Sequence, residues 1–500
     1  MPESGSIVSL DPSVLAFAAC RHGHFVDGAP VPSTGDTRIE VFDPATGEVI
    51  ATIADATPAD VDRAVASAKT AFDTGVWRGL PPSERERILL RFASLVEANG
   101  EQLAQLETLN QGKSINIARM VDVGASLGFM RYYAGLATKH NGQALDVSIA
   151  MPPGARYTAF TRHEPVGVVA GIAPWNFPMM IGLWKVMPAL AAGCSVVLKP
   201  SEVTPLTSLR IAEIAAEAGI PAGAFNVLTG GGAAGAALTA HPDIAKVSFT
   251  GSTATGKAIA RTVADRMLRA SFELGGKNPA IFLKDAPIEQ AVGGAMMGSF
   301  FNNGQVCAAS SRLYVAREIF GDFLGALEGA VNSMAIGPGL DMAAQINPVV
   351  SAAHRDKIVG HIEGARAAGA RILAGGQVPN RPGFYVSPTI IVDAGPDMAI
   401  CREEVFGPVI TVTPFDDEAE AVRLANDTRM GLTASVWTND LTKALNLVPQ
   451  IRAGTVWVNS HNMIDPNMPF GGFQESGIGR DFGTSALDAY TELKSVCIAH

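Results

Sequence analysis

Charge is scarce in this chain, and cysteine is scattered. Only 17% of the 500 residues are charged, 47% are hydrophobic, and the net charge is -10. With neither a basic run nor a basic balance, a nucleic-acid partner is not expected. The five cysteines, at 20, 194, 307, 401 and 497, are odd in number and form no CxxC pair. The pattern suggests neither a disulfide framework nor a zinc centre, so no metal is expected and a reducing cytoplasm suits the chain. No uncharged apolar run reaches membrane length, and the opening residues lack the basic segment of an export signal. Repeats of solenoid period and low-complexity stretches are also missing. What is left reads as a soluble chain, too long for one hydrophobic core, in which two or three domains are expected.

The pattern that is present is α/β. Thr57-Pro58 supplies an N-cap and a first-turn proline, after which Val61, Val65, Ala68 and Phe72 share a helical face. Ser83 and Glu86 have capping-box spacing ahead of Leu89, Phe92 and Leu95. From about residue 165 the runs VGVVAGI, CSVVLKP, FNVLTG and AKVSFTG are apolar without alternation, as strands covered on both faces require. Thr204-Pro205 opens a helix between two of them, and Gly219 with Pro221 closes it. Such alternation predicts a doubly wound sheet with ligands beyond the carboxyl ends of its strands. A second α/β unit follows from about residue 276. Residues 142–161 and the tail after Arg480 carry strand-like patches with no place in either unit, the kind that pair across subunits.

Several short runs carry chemistry, and each alone admits two readings. Cys307 ends FFNNGQVC: an ordinary buried thiol, or a sulfur presented by a Gly-containing bend whose amides brace it. Glu273, before Gly275-Gly276, is a surface turn residue or a carboxyl raised by apolar surroundings into a general base. Asn176, in PWNFP, is a turn asparagine or an oxyanion donor. Lys199 and Glu202, in KPSE, are solvated loop residues or a cation and carboxylate for ribose hydroxyls. The glycines at 230–232 and at 251 and 256 follow strands without a full GxGxxG context, yet Gly251-Ser252 leads into a helix whose amides would face an anion.

Taken together, PWNFP, KPSE, FTGST, ELGGKNP, FFNNGQVC and EEVFGPV, in this order and at these separations, resemble the aldehyde dehydrogenase superfamily over essentially the whole chain. The resemblance implies an NAD-dependent oxidoreductase with a variant Rossmann cofactor domain (1–141 and 162–275), an α/β catalytic domain (276–479) and a small β oligomerisation element (142–161 and 480–500). A homodimer or homotetramer is implied, with a small aldehyde as substrate and neither nucleic acid nor membrane as partner. It assigns Cys307 as nucleophile, Glu273 as base, and Asn176 with the Cys307 N–H as oxyanion hole. Lys199 and Glu202 become adenosine-ribose ligands and Ser252 a pyrophosphate contact. Glu404 becomes the nicotinamide-ribose ligand, Phe406 borders the nicotinamide, and Trp175, Gly230 and Gly251 complete the cofactor site. A carboxylate at Glu202 would repel a 2′-phosphate and so favours NAD over NADP. Asp481 departs from the glutamate of several relatives, which puts a proton relay through Lys185 in question.

Subfamily segments, RHGHFVDG, LLRFASLVE, ARYTAFTRHEPVGVVAG and GTVWVNSHNMIDPNMPFGG, resemble the phenylacetaldehyde-oxidising bacterial branch. The implied channel residues Phe177, Met180, Trp184, Phe301, Ile464 and Phe470 are apolar or aromatic and suit an aryl ring. The alternatives are a betaine-aldehyde or aminobutyraldehyde dehydrogenase, since an aromatic cage also holds a quaternary ammonium, and a non-catalytic NAD-binding structural protein.

Overall fold

The computed structural model describes residues 7–500, so residues 1–6 of the expected 1–141 span lie outside it. The apolar runs form the middle of an eight-stranded sheet. Its order is Gly477–Ile478, Arg269–Glu273, Ile244–Thr250, Val168–Ile172, Ser195–Lys199, Phe225–Val227, His24–Val26, Ala29–Val31. The five inner strands are parallel and the flanking ones antiparallel. Alternate residues feed two cores. Val169, Val196 and Leu198 face the helices Pro178–Ala192 and Leu206–Ala218, while Val168, Ala170 and Val197 pack with Val61, Val65 and Ala68 of the helix Pro58–Thr74. Burial on both faces is why these strands show no polar alternation.

The chain runs outward from Val168–Ile172 through Ser195–Lys199 to Phe225–Val227, then returns to lay Ile244–Thr250 on the other side of the first strand. The direction of winding reverses between Ile172 and Thr250, and a crevice opens at such a point beyond the carboxyl ends.

Local signals account for some helix ends and not others. Thr57 and Asp60 form the reciprocal cap of Pro58–Thr74, and left-handed Gly75 closes it. Ser83 is not a cap. The helix starts at Pro82, whose fixed φ and missing N–H suit a first position, so Ser83 already lies inside it. Nor does Thr204 cap the next helix. Leu206 N donates instead to Asn110 Oδ1 at 3.1 Å, from a helix 96 residues away in sequence.

A second, seven-stranded sheet has the order Arg371–Ala374, Thr389–Val392, Val409–Phe415, Ser310–Ala316, Asn278–Phe282, Thr433–Trp437, Thr455–Val458, all parallel but the first. Separately, Ala144–Leu145, Tyr157–Pro165 and Thr491–Ala499 make a three-stranded antiparallel ribbon with Leu493 and Ile498 exposed. The segment Gly477–Ile478 joins the first sheet as its edge. Among the described residues no helix is long and apolar enough to cross a membrane. The architecture is mixed α/β with two open sheets, as the resemblance implied.

Candidate active site

Cys307 lies three residues ahead of the strand Ser310–Ala316, in a loop whose path is held from several sides. Asn302, Asn303 and Gly304 take left-handed φ values of 47°, 56° and 68° in succession. The two asparagines tolerate this region better than most residues. A Cβ on Gly304 would collide with the Gly407 carbonyl, so glycine is required there. The Asn303 side chain donates to Pro348 O and accepts from Asn347 N, and Gln305 Oε1 accepts from Val350 N. On the far side of the thiol, Asn278 Nδ2 donates to the carbonyls of Cys307 (2.7 Å) and Ala309 (3.0 Å). Thr433 Oγ1 and His461 Nε2 both bond the Ala308 carbonyl. The thiol is thus presented half-buried by a rigid loop.

A cavity of about 200 Å³ opens at the reversal point of the first sheet, and Cys307, Glu273, Asn176, Trp175, Ser252 and Glu404 all line it. Asn176 donates from Nδ2 to Gln305 O at 2.9 Å, leaving its second N–H for the cavity. Glu273 ends the strand Arg269–Glu273 and is buried. Among the described residues nothing donates to either of its oxygens. Burial, with the Asp481 carboxylate adding, raises its carboxyl well above the carboxylate range. Burial likewise pushes the Cys307 thiol up to about 12, Glu404 and Glu273 contributing, so the resting sulfur is a protonated thiol. Lys185 Nζ and Asp481 Oδ2 form a buried pair at 2.6 Å, so the shorter aspartate still reaches its lysine.

The cofactor candidates divide between the cavity and its extension along the strand ends. Ser252 caps the helix Thr253–Asp265, its Oγ accepting from Thr255 N, and Gly251 admits the Phe249 ring, which a Cβ would meet at 2.6 Å. Glu404 is half-buried, its Oε1 accepting from Gly276 N at 3.0 Å, and desolvation lifts its carboxyl to about 7. Phe406, at φ 59°, meets Trp175 edge-on at 5.2 Å. Lys199, Glu202 and Gly230 do not line the cavity; they stand beyond neighbouring strand ends, with Lys199 Nζ 3.7 Å from Glu202 Oε2. These residues fit a dinucleotide. Thr250 Oγ1 is buried at the cavity wall without a partner among the described residues, next to a helix N-terminus suited to phosphate.

None of the six channel candidates lines that cavity. Phe177 and Phe301 stack at 6.4 Å, and Trp184 and Phe470 pack at 6.3 Å, whereas Ile464 is exposed. Met180 is buried on the same helix as Trp184.

Several residues had no sequence signal strong enough to single them out. His354 and Lys357 line the cavity, and His354 Nε2 bonds Phe406 O at 2.8 Å. Glu107, Lys113 and Asp122 are fully buried together, with Lys113 Nζ 4.2 Å from the Phe177 ring centre. Asp122, set between Val121 and Val123, was the one local hint. Among the described residues one group has metal-ligand composition, His140, His163 and Asp488. It lies outside the cavity lining, and hydrogen bonds to Asp488 and Thr491 engage its imidazoles.

Comparison with known proteins agrees with this geometry. The model of the family described as "Aldehyde dehydrogenase family" matches residues 31–496. A phenylacetaldehyde dehydrogenase of Pseudomonas fluorescens is 48% identical over 96% of this chain and 96% of its own. A betaine aldehyde dehydrogenase of Sinorhizobium fredii is 45% identical over 96% and 97%. Among solved structures, an aldehyde dehydrogenase of Bacillus cereus in complex with NAD+ superposes with a TM-score of 0.96 at 42% identity, covering 98% of this chain and 99% of that one.

Proposed function

This chain belongs to the aldehyde dehydrogenase family, and from that premise we propose that it oxidises an arylacetaldehyde, phenylacetaldehyde or a near analogue, to the carboxylic acid with NAD. The observation that carries the reading is the single cavity shared by Cys307, Glu273, Asn176 and Glu404. Lys199, Glu202, Ser252 and Glu404 would hold the cofactor, with Trp175, Phe406, Gly230 and Gly251 shaping its site. NAD, when bound, supplies the acceptor for the hydride that the substrate carbon gives up.

The protein's own groups do the rest. The resting thiol is protonated, so attack by Cys307 Sγ on the aldehyde carbon requires its proton to leave. Glu273, in its ionised form, is the acceptor in the same cavity. Charge then collects on the substrate oxygen, where the free N–H of Asn176 and the Cys307 backbone N–H donate to it. Loss of hydride leaves a thioester on Sγ. Glu273 next takes a proton from water, which attacks the thioester and frees the acid. Between these two uses Glu273 must shed its proton, and the buried Lys185–Asp481 pair offers a polar path.

The aryl reading is favoured over betaine aldehyde by the Phe177 ring. One face already carries Lys113, itself paired with Asp122, so that face is not free to hold a quaternary ammonium. The reading includes the domain division given by the sequence and exchange of the Thr491–Ala499 ribbon between subunits. Steady-state kinetics with phenylacetaldehyde and betaine aldehyde, each with NAD and NADP, test it. Higher kcat/KM for phenylacetaldehyde with NAD is expected, and preference for betaine aldehyde would overturn the substrate assignment.

A further inference from the structure

Three buried charges behind the cavity take no part in the chemistry above. Lys113 Nζ lies 2.8 Å from Asp122 Oδ2 and 3.7 Å from Glu107 Oε1, and all three side chains are almost wholly excluded from solvent. Removing an ammonium and two carboxylates from water is costly, and such a cluster is weak support for stability compared with apolar residues of the same volume. Its geometry points elsewhere. The helix Pro178–Ala192 follows directly on Asn176 and Phe177, and Phe177, at its N-cap, makes no side-chain cap. Glu107 Oε1 supplies the missing acceptor from another helix, taking Met179 N at 3.3 Å. Lys113 Nζ sits over the Phe177 ring, whose neighbour on the nucleophile loop is Phe301.

The cluster is itself firmly held. Asp122 lies in a π-helical stretch, Ala118–Ala125, a distortion of the helical ladder that recurs at functional sites. Burial raises the Asp122 carboxyl, with Glu107 beside it. Glu107 Oε2 and Asp122 Oδ1 lack donors among the described residues. Gly112, at φ 90°, fits against Pro44 and Pro348, and a Cβ on Gly339 would strike the Lys113 carbonyl, so the backbone that carries Lys113 cannot shift. Pro348 in turn accepts from Asn303 of the nucleophile loop.

We propose that Lys113, braced by Glu107 and Asp122, is a positioning residue that fixes the Asn176–Phe177 turn. It thereby aims the Asn176 amide at the substrate oxygen. This inference rests on the role given to Asn176 above. Lys113→Met alone leaves two carboxyl groups facing a lost cation and is prone to misfold, so the test uses the charge-balanced pair Lys113→Met with Asp122→Asn. The pair is compared with Asn176→Ala and with the triple variant, using phenylacetaldehyde and NAD.

The expected result for the pair is a kcat lower by at least tenfold, KM for both substrates within about threefold, and an unchanged melting temperature and NAD affinity. The triple variant should be no slower than Asn176→Ala alone, because the pair acts only through that amide. A kcat for the pair within twofold of the parent overturns the proposal, as do losses that multiply in the triple variant. Asn176→Ala with full kcat would instead remove the oxyanion role itself, a separate failure.

Discussion

Replacing Gly275 by alanine perturbs the cofactor side of the site without touching the thiol. Gly275 is not among the glycines with positive φ, so alanine meets no backbone strain there and the effect is purely steric. A Cβ would stand 2.8 Å from Glu404 Cδ and 3.0 Å from its Oε1, and would overlap Oε2. Restoring an ordinary 3.4 Å carbon contact requires a retreat of about 0.6 Å at Cδ and more at the oxygens. The carboxylate is tied to Gly276 N at 3.0 Å, so the retreat breaks that bond and moves the group from the place where a ribose would meet it. A hydrogen bond to a charged group is worth about 1.5–3 kcal/mol, or roughly 10- to 100-fold in affinity. Calorimetric titration of Gly275→Ala with NAD should therefore show binding weaker by about that factor. Alkylation of Cys307 by iodoacetamide should stay within twofold of the parent rate. Adding Glu404→Asp, whose shorter arm clears the new methyl group, should recover part of the loss. Unchanged NAD affinity in Gly275→Ala would refute the role given to Glu404.

Three other outcomes follow from the same geometry. Cys307→Ala should abolish NADH formation from aldehyde and leave NAD binding within about threefold, and any retained turnover would contradict the nucleophile. Burial raises the Glu404 carboxyl from 4.5 to about 7, so between these values the folded chain keeps a proton that the unfolded chain gives up. Stability should accordingly fall as pH rises through that window, by on the order of 3 kcal/mol, and level off above it. Denaturant titrations of Glu404→Gln should lack that decline, and an identical pH slope in parent and variant would count against it. Deleting residues 491–500 removes the outer strand of the ribbon, and light scattering should then report a smaller assembly than the parent. An unchanged mass would contradict strand exchange.

How much of this was legible in the sequence depended on the range of the interaction. The strands Val168–Ile172 and Ser195–Lys199 were readable because burial on both faces leaves a continuous apolar run. The Thr57 cap was readable because Thr-Pro is a local helix-start signal, although its Asp60 partner was not singled out. Cys307, Glu273, Asn176 and Glu404 were found because each sits in a short motif, although nothing local said that they share a cavity. Long-range pairs left no such trace. Asn110 caps a helix 96 residues on, and Glu107 reaches Met179 72 residues on. The Lys113 cluster depends on a π-helical register that an ordinary helical period does not describe. His354 reaches the cavity from a helix of unremarkable polar pattern, held there through the Phe406 carbonyl.

The most direct test of the central claim is mass spectrometry of Glu273→Gln mixed with phenylacetaldehyde and NAD and quenched within the first turnover. With glutamine in place of the base, thiol attack proceeds only as fast as the thiol proton is lost to solvent, but the thioester once formed is not hydrolysed. The variant should therefore form one NADH per active site, slowly, and accumulate a phenylacetyl group on the peptide that contains Cys307. NADH formation with no adduct at Cys307, or with the acyl group on another residue, would contradict the account.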